Sequence, residues 1–315
     1  MSDQRILFMG TPEFAVGALN ALVDAGLNIA GVVTAPDRPA GRGRQLRESA
    51  VKIRARELGL SILQPERLKD PAFLEEIDRL NASLYVVVAF RMLPEVVWNR
   101  PKHGTVNLHA SLLPDYRGAA PINWAVINGE KRTGATTFMI RHEIDTGDIL
   151  LQQELAIGDE ETAGELHDRL MVCGASLMVR TVRGLFAGSL VPVPQQERPT
   201  HAAPKLTPEN CGVQWSAGAE VIHNLVRGLS PFPGAWTTWN APGTPPQHFK
   251  ILRTRPTGFS GTSHTGAVRI VYERLLVHTG SGWLEVLDVQ PEGKRRMDAA
   301  SFVRGLRSTD NIELA

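Results

Sequence analysis

The unbroken apolar run Leu84-Tyr85-Val86-Val87-Val88-Ala89 constrains the fold of this chain more than any other stretch. A strand with one wet face alternates apolar and polar residues, whereas this run does not, so it reads as a strand covered on both faces, as in parallel sheets. Arg5 to Met9 and Asn28 to Thr34 look like two more strands. A helical pattern over roughly Pro12 to Ala25 separates them, with proline where a first turn tolerates it. A helix follows around Arg47 to Leu58, then a short strand at Ile62 to Gln64, a helix over Pro71 to Leu80 and another from about Pro94. The next strand is Thr105-Val106-Asn107-Leu108, and a helix over about Thr162 to Ala187 closes the series. Strands alternating with helices predict an open, twisted, mostly parallel α/β sheet with right-handed crossovers. Ligands of such sheets sit at the carboxyl ends of the strands.

The pattern changes after residue 190. Val191-Pro192-Val193-Pro194 through Pro204 has the marks of a linker. Beyond it come one helix, near Ala217 to Leu229, and short β-type runs at Phe249 to Arg253, Ala267 to Tyr272, Leu275 to His278 and Trp283 to Val289. The expected organisation is therefore a sheet domain over 1–190, a linker over 191–205 and a small Greek-key or OB-like barrel over 206–315. With 315 residues and 43% hydrophobic content, the chain can bury two cores. Cys173 and Cys211 lack metal-ligand spacing and suggest a reducing compartment, with no metal site. The charged Asp3 and Arg5 precede only a short apolar run, and no window approaches the length of a membrane span, so a soluble cytoplasmic chain is expected. Without a long heptad pattern or a sustained apolar stripe, a monomer is expected.

The residues that carry chemistry cluster in two places. Asn107 and His109 stand two apart in a strand, so their side chains emerge on one face while Leu108 turns into the core. An amide is a fixed donor and an imidazole can donate or accept. Together they could cradle a developing oxyanion. Asp145, in Asp145-Thr146-Gly147-Asp148, could orient His109 or accept a proton, directly or through water. That combination points to acyl transfer. Taken singly, each residue also fits a structural role, and Asp-Thr-Gly-Asp is an ordinary turn. Gly10-Thr11-Pro12 lacks the Gly-x-Gly-x-x-Gly pattern, so a nicotinamide cofactor is not expected.

Net charge is only +1, yet Asp37 to Arg56 holds seven basic residues against two acidic. Arg54 and Arg56 read as a solvated helix face. In Pro36-Asp37-Arg38-Pro39-Ala40-Gly41-Arg42-Gly43-Arg44, proline and glycine rule out a helix and leave arginines on an exposed, mobile loop suited to phosphate. Lys294-Arg295-Arg296 could also meet a phosphate backbone, or form a solvated turn.

Three stretches in order, Asn107-x-His109-x-Ser111-Leu112-Leu113-Pro114, then Arg117-Gly118-Ala119-Ala120-Pro121-Ile122, then Asp145-Thr146-Gly147, resemble the signature of formyltransferases that use 10-formyltetrahydrofolate. The resemblance runs from Arg5 nearly to the C-terminus and is strongest to the branch that formylates methionine on initiator tRNA. It implies that Asn107, His109 and Asp145 are the catalytic centre and that Ser111, Leu112, Leu113 and Pro114 lie against the folate co-substrate. It implies that the 36–44 loop meets the tRNA acceptor end, through Arg42 first and Arg44 second, with Lys294, Arg295 and Arg296 as further contacts. Pro231-Phe232-Pro233-Gly234-Ala235-Trp236 matches an element of the same family and reads as mainly structural. Phe90-Arg91 departs from the more usual Tyr-Gly beside the folate pocket, and Arg141-His142-Glu143-Ile144 is more charged than usual, with His142 read as a surface residue. A formyltransferase acting on a nucleotide-linked amino sugar and a formyltetrahydrofolate hydrolase are the alternatives. The long basic loop argues against the first, and a catalytic sheet beginning at Arg5 against the second.

Overall fold

The computed structural model describes residues 4–40, 45–196, 201–306, 308 and 311–315. It divides into two compact units: Met1–Gly118, Thr133–Ala156 and His167–Ala202 form the first, and Ala119–Arg132, Ile157–Leu166 and Ala203–Ala315 the second.

The first unit contains β1 (Arg5–Gly10), α1 (Glu13–Asp24), β2 (Asn28–Val33), a hairpin of β3 (Arg38–Ala40) and β4 (Gln45–Arg47), α2 (Ala50–Glu57) and β5 (Ile62–Leu63). It continues through α3 (Pro71–Arg79), β6 (Leu84–Val88), α4 (Glu95–Trp98), β7 (Thr105–His109), β8 (Arg117–Gly118), β9 (Arg132–Met139) and β10 (Ile149–Ala156). The sheet order is β10-β9-β7-β6-β1-β2-β5. The pairs from β5 to β7 are all parallel, and every residue of β6 is buried, as its unbroken apolar run requires. The crossover order reverses beside β1, so the strand ends at Gly10, Val88 and His109 face the kind of crevice where α/β sheets place ligands.

Local chemistry sets the helix boundaries. Asp70 caps α3 by accepting from the Ala72 amide at 3.0 Å, with Pro71 at the start of the first turn. Ser49 caps α2 by accepting from Lys52 N at 3.0 Å, so that helix begins at Ala50 and not at Arg47, which ends β4. The sequence reading assigns no strand between Asn107 and Thr162, but β9 and β10 extend the sheet there, and β9 runs antiparallel to β7. The sheet is thus mixed, though mostly parallel.

Helix α6 (Ala163–Ala187) corrects the expectation about membrane-span length. At 25 residues with a mean hydropathy of 1.4 over its most apolar window, it is long and apolar enough by composition to cross a bilayer. Its Leu166, Leu170, Leu177, Met178 and Val182 are nonetheless at most 1% exposed, while Val172 is 69% exposed. One buried stripe beside an exposed face is the pattern of a helix packed on a protein core. The helix starts in a capping box, in which Glu165 accepts from the Thr162 amide at 2.8 Å and Thr162 Oγ1 accepts from the Glu165 amide at 3.2 Å.

In the second unit, α5 (Pro121–Ile127) lies against α7 (Ala219–Leu229). A Cβ on Gly228 would stand 2.9 Å from the Ile127 amide nitrogen, so only glycine permits this approach. After the short β11 (Ala202–Ala203), the strands are β12 (Ala235–Asn240), β13 (Gln247–Pro256), β14 (Val268–Val271), β15 (Arg274–Thr279), β16 (Gly282–Pro291), β17 (Met297–Asp298) and β18 (Glu313–Leu314), with α8 (Ala299–Arg304) preceding the last. The order β14-β15-β16-β13-β12-β18 is antiparallel throughout, and a bridge between Ala267 and Glu313 nearly closes it into a six-stranded barrel. Trp239, Phe249 and Phe302 fill its interior, with ring centroids 4.9–5.1 Å apart. Ala235 and Trp236, at the end of the proline-rich element, open β12, and Gly234 adopts a φ of +86° to make the turn.

Glu285 in β16 is 5% exposed and bonded at 2.8 Å by both Arg274 and Arg255. The Arg274 guanidinium, against the cost of burial and with help from Arg255, holds the Glu285 carboxyl below its ordinary value near 4.5. A depressed folded value stabilises the barrel above the ordinary value and ceases to do so as pH falls through the depressed one. Thermal midpoints measured from pH 6 downward should therefore drop more steeply in the native protein than in Glu285→Gln. Parallel curves would show that the charge contributes nothing to stability.

Candidate active site

Strand β7 delivers the first two residues. Asn107 sits between Val87 of β6 and Phe138 of β9, and His109 pairs with Thr136. Leu108 is 4% exposed, His109 is 7% exposed and Asn107 is half-buried. The period-two reading of this strand holds.

His109 Nε2 lies 2.8 Å from the carbonyl oxygen of Tyr116. A carbonyl can only accept, so Nε2 carries a proton and Nδ1 is the nitrogen left for other work. Nδ1 stands 3.7 Å from Asp145 Oδ2, close but beyond a direct hydrogen bond. Asp145 lies in the connection between β9 and β10 with φ at +55°, a left-handed conformation that costs a non-glycine residue energy unless its surroundings hold it. Its Oδ2 accepts from the Gly118 amide at 3.0 Å. The structure thus brings His109 and Asp145 together, although 36 positions of sequence separate them.

The Ser111–Pro114 segment is satisfied from within. Ser111 is fully buried and its hydroxyl donates to the Asp115 carbonyl at 2.6 Å, while Thr136 Oγ1 donates to the Ser111 carbonyl at 2.6 Å. The Leu113 amide donates to Thr136 Oγ1 at 3.1 Å, and Gln152 Nε2 donates to the Leu113 carbonyl at 2.9 Å. The Leu113-Pro114 peptide is cis. These bonds fix the shape of the segment from within the protein. Thr136 and Gln152 are invisible to motif reading, because each acts through backbone atoms far away in sequence.

Beside β6, the Arg91 guanidinium lies 5.5 Å from the Phe90 ring and donates to the Glu66 carbonyl at 3.1 Å and to the Pro65 carbonyl. Burial, and the neighbouring Arg38 charge, push Arg91 down from its ordinary value. His142 is exposed, as read from the sequence.

Three of the basic residues in the segment are paired within the protein. Lys52 bonds Asp37 at 2.5 Å and Glu48 at 3.1 Å, Arg56 bonds Glu48, and Arg54 bonds Asn20 and Glu57. These close on the protein itself, and the Asp37 bond raises Lys52 above its ordinary value. Arg38 and Arg47 face each other across the β3-β4 hairpin. Arg42 and Arg44 lie outside the described residues. Lys294, Arg295 and Arg296 are exposed in the turn before β17, and Arg296 pairs with Asp288. Among the described residues, no group of three or more His, Cys, Asp or Glu side chains could hold a metal ion.

A mixed sheet that carries an amide and an imidazole on β7, with a carboxylate brought beside the imidazole by the β9-β10 connection, holds the kinds of group that acyl transfer uses, and comparison makes the class specific. The chain belongs to the formyltransferase family: the Formyl transferase family model matches residues 4–182, and that of the Formyl transferase C-terminal domain matches 205–307. Among individual proteins, it is 47% identical over 316 residues to the methionyl-tRNA formyltransferase of Porphyromonas gingivalis, covering 98% of each chain. It is 44% identical over 315 residues to that of Flavobacterium johnsoniae, covering all of both. Among solved structures, a sugar 3N-formyl transferase, WlaRD, superposes with a TM-score of 0.66 at 17% identity over 93% of this chain and 99% of its own. HypX from Aquifex aeolicus, solved with tetrahydrofolic acid, gives 0.66 at 16% over 99% of this chain and 50% of its own. At that identity the two structures establish the fold alone.

Proposed function

We propose that this protein transfers the formyl group of 10-formyltetrahydrofolate to the α-amine of methionine esterified to initiator tRNA, the step that prepares that tRNA for translation initiation. The observation that carries the reading is the 47% identity to a methionyl-tRNA formyltransferase across 98% of both chains, which takes in the barrel as well as the sheet. The sugar formyltransferase shares the fold at 17% identity, too little to pull the substrate assignment toward an amino sugar.

The folate supplies a formyl carbon on a nitrogen that can leave. As the methionine amine attacks that carbon, negative charge develops on the formyl oxygen. The Asn107 amide and the His109 imidazole would meet it as polar groups already in place. Asp145, 3.7 Å from His109 Nδ1, would take the proton from the attacking nitrogen, directly or through water, and would return it to the departing folate nitrogen as the carbon–nitrogen bond breaks and the oxyanion collapses to the new formamide. Ser111 to Pro114 would form the wall against the folate. Arg42, then Arg44, would reach the acceptor end of the tRNA, and Lys294 to Arg296 would add contacts from the barrel. The chain would work as a monomer in the cytoplasm, over a sheet domain at 1–190 and an RNA-binding barrel at 206–315.

Purified protein given 10-formyltetrahydrofolate should formylate methionine-charged initiator tRNA, and should leave uncharged tRNA and a sugar-nucleotide amine unmodified. Transfer to the sugar amine alone, or release of formate without any acceptor, would overturn the assigned substrate.

A further inference from the structure

Gln195 stands in the proline-rich stretch where the sequence offers only a linker, yet it makes four hydrogen bonds in the first unit. Its Nε2 donates to the carbonyl oxygens of both Asp145 and Gly147 at 2.8 Å. Its Oε1 accepts from Arg117 Nε at 3.1 Å and Nη2 at 2.6 Å. Val193, two residues earlier, is bonded in both directions to Ile149 at 2.7 and 2.8 Å, so the segment is clamped beside the start of β10 and Gln195 is delivered over the turn that carries Asp145.

The two loops joined by this one amide are the two that hold the catalytic pair. On the Arg117 side, the preceding residue Tyr116 supplies the carbonyl that receives the His109 Nε2 proton, and the following residue Gly118 supplies the amide that bonds Asp145 Oδ2. On the other side, both Nε2 bonds end on the turn in which Asp145 holds its φ of +55°. A left-handed aspartate persists only where its surroundings over-determine it. The Gly118 bond and the two Gln195 bonds are among those that do so here.

We propose that Gln195 is a positioning residue for catalysis, tying the Tyr116–Gly118 loop to the Asp145 turn so that the Asp145 carboxylate is held against His109. This rests on the reading of Asp145 as the proton acceptor. Gln195 touches no reacting atom in this scheme; its effect passes through the carboxylate.

The test is a cycle of full-length variants assayed with 10-formyltetrahydrofolate and methionine-charged tRNA. Gln195→Ala should lower kcat by about tenfold to a hundredfold, the scale of an ångström-sized misplacement, with KM for the charged tRNA unchanged. In an Asp145→Asn background the same change should lower kcat no further, because the group it positions is already gone. Gln195→Glu fills the same space and keeps an acceptor for Arg117 but loses both donors, so it should fold and show the same deficit. Native kcat in Gln195→Ala and Gln195→Glu overturns the proposal, as does a full second loss in the Asp145→Asn background. Native kcat in Asp145→Asn alone overturns it by removing the role of Asp145 itself, and that variant tells the two failures apart.

Discussion

Asp145→Asn should lower kcat by roughly 10²–10⁴, the range spanned by loss of a positioned general base. The exchange preserves shape and leaves an oxygen that can still accept from the Gly118 amide, 3.0 Å away in the native protein. What disappears is the capacity to take a proton beside His109. Since the Asp145 side chain is only 13% exposed and bonded within its own unit, affinity for the charged tRNA should stay close to native, and the loss should fall on turnover. Asn107→Ala should cost less, about a hundredfold or ~3 kcal/mol, as expected when one of two oxyanion donors is removed. Single-turnover formylation with saturating tRNA separates these effects from product release. A native single-turnover rate in Asp145→Asn would remove the carboxylate from the chemistry and return Asp-Thr-Gly-Asp to an ordinary turn.

What could be read in the sequence was what acts over short distances. The run at Leu84 announces a doubly covered strand because burial on both faces leaves no place for a polar alternate, and β6 is buried from end to end. Asn107 and His109 share a face because strand periodicity is two. Strands β9 and β10 escaped notice for a specific reason. Thr133, Thr136 and Thr137 are buried in β9, and Thr136 and Thr137 find partners at Ser111 and Thr181 that no local pattern reveals. A strand whose interior is threonine looks like a polar connection until its hydrogen bonds are known. Gln195 is the extreme case. Its sequence context of prolines speaks for a spacer, and only the bridge from Val193 to Ile149 makes it part of the site.

Gly147→Ala should be the most damaging small substitution near the site. A Cβ at this position would fall 1.6 Å from the Met139 carbonyl oxygen and 2.8 Å from its carbon, both backbone atoms of the strand that pairs with β7. No rotamer relieves that collision, so the turn or the strand must move by more than an ångström. The strand is held to β7 and the Met139 amide donates to the Asp148 carbonyl at 2.9 Å, which leaves the turn as the element that gives. Asp145 moves with it, and the Gln195 bond to the Gly147 carbonyl is strained at the same time. Overpacking of this kind costs about 1–3 kcal/mol of stability, and displacement of the carboxylate about a hundredfold in rate. Because both effects follow from one movement, partial relief should be selective. Adding an osmolyte that favours the compact state should restore folded protein without restoring kcat. If stabilised Gly147→Ala turns over at the native rate, the turn tolerates displacement and the position of Asp145 against His109 is not what the reaction depends on.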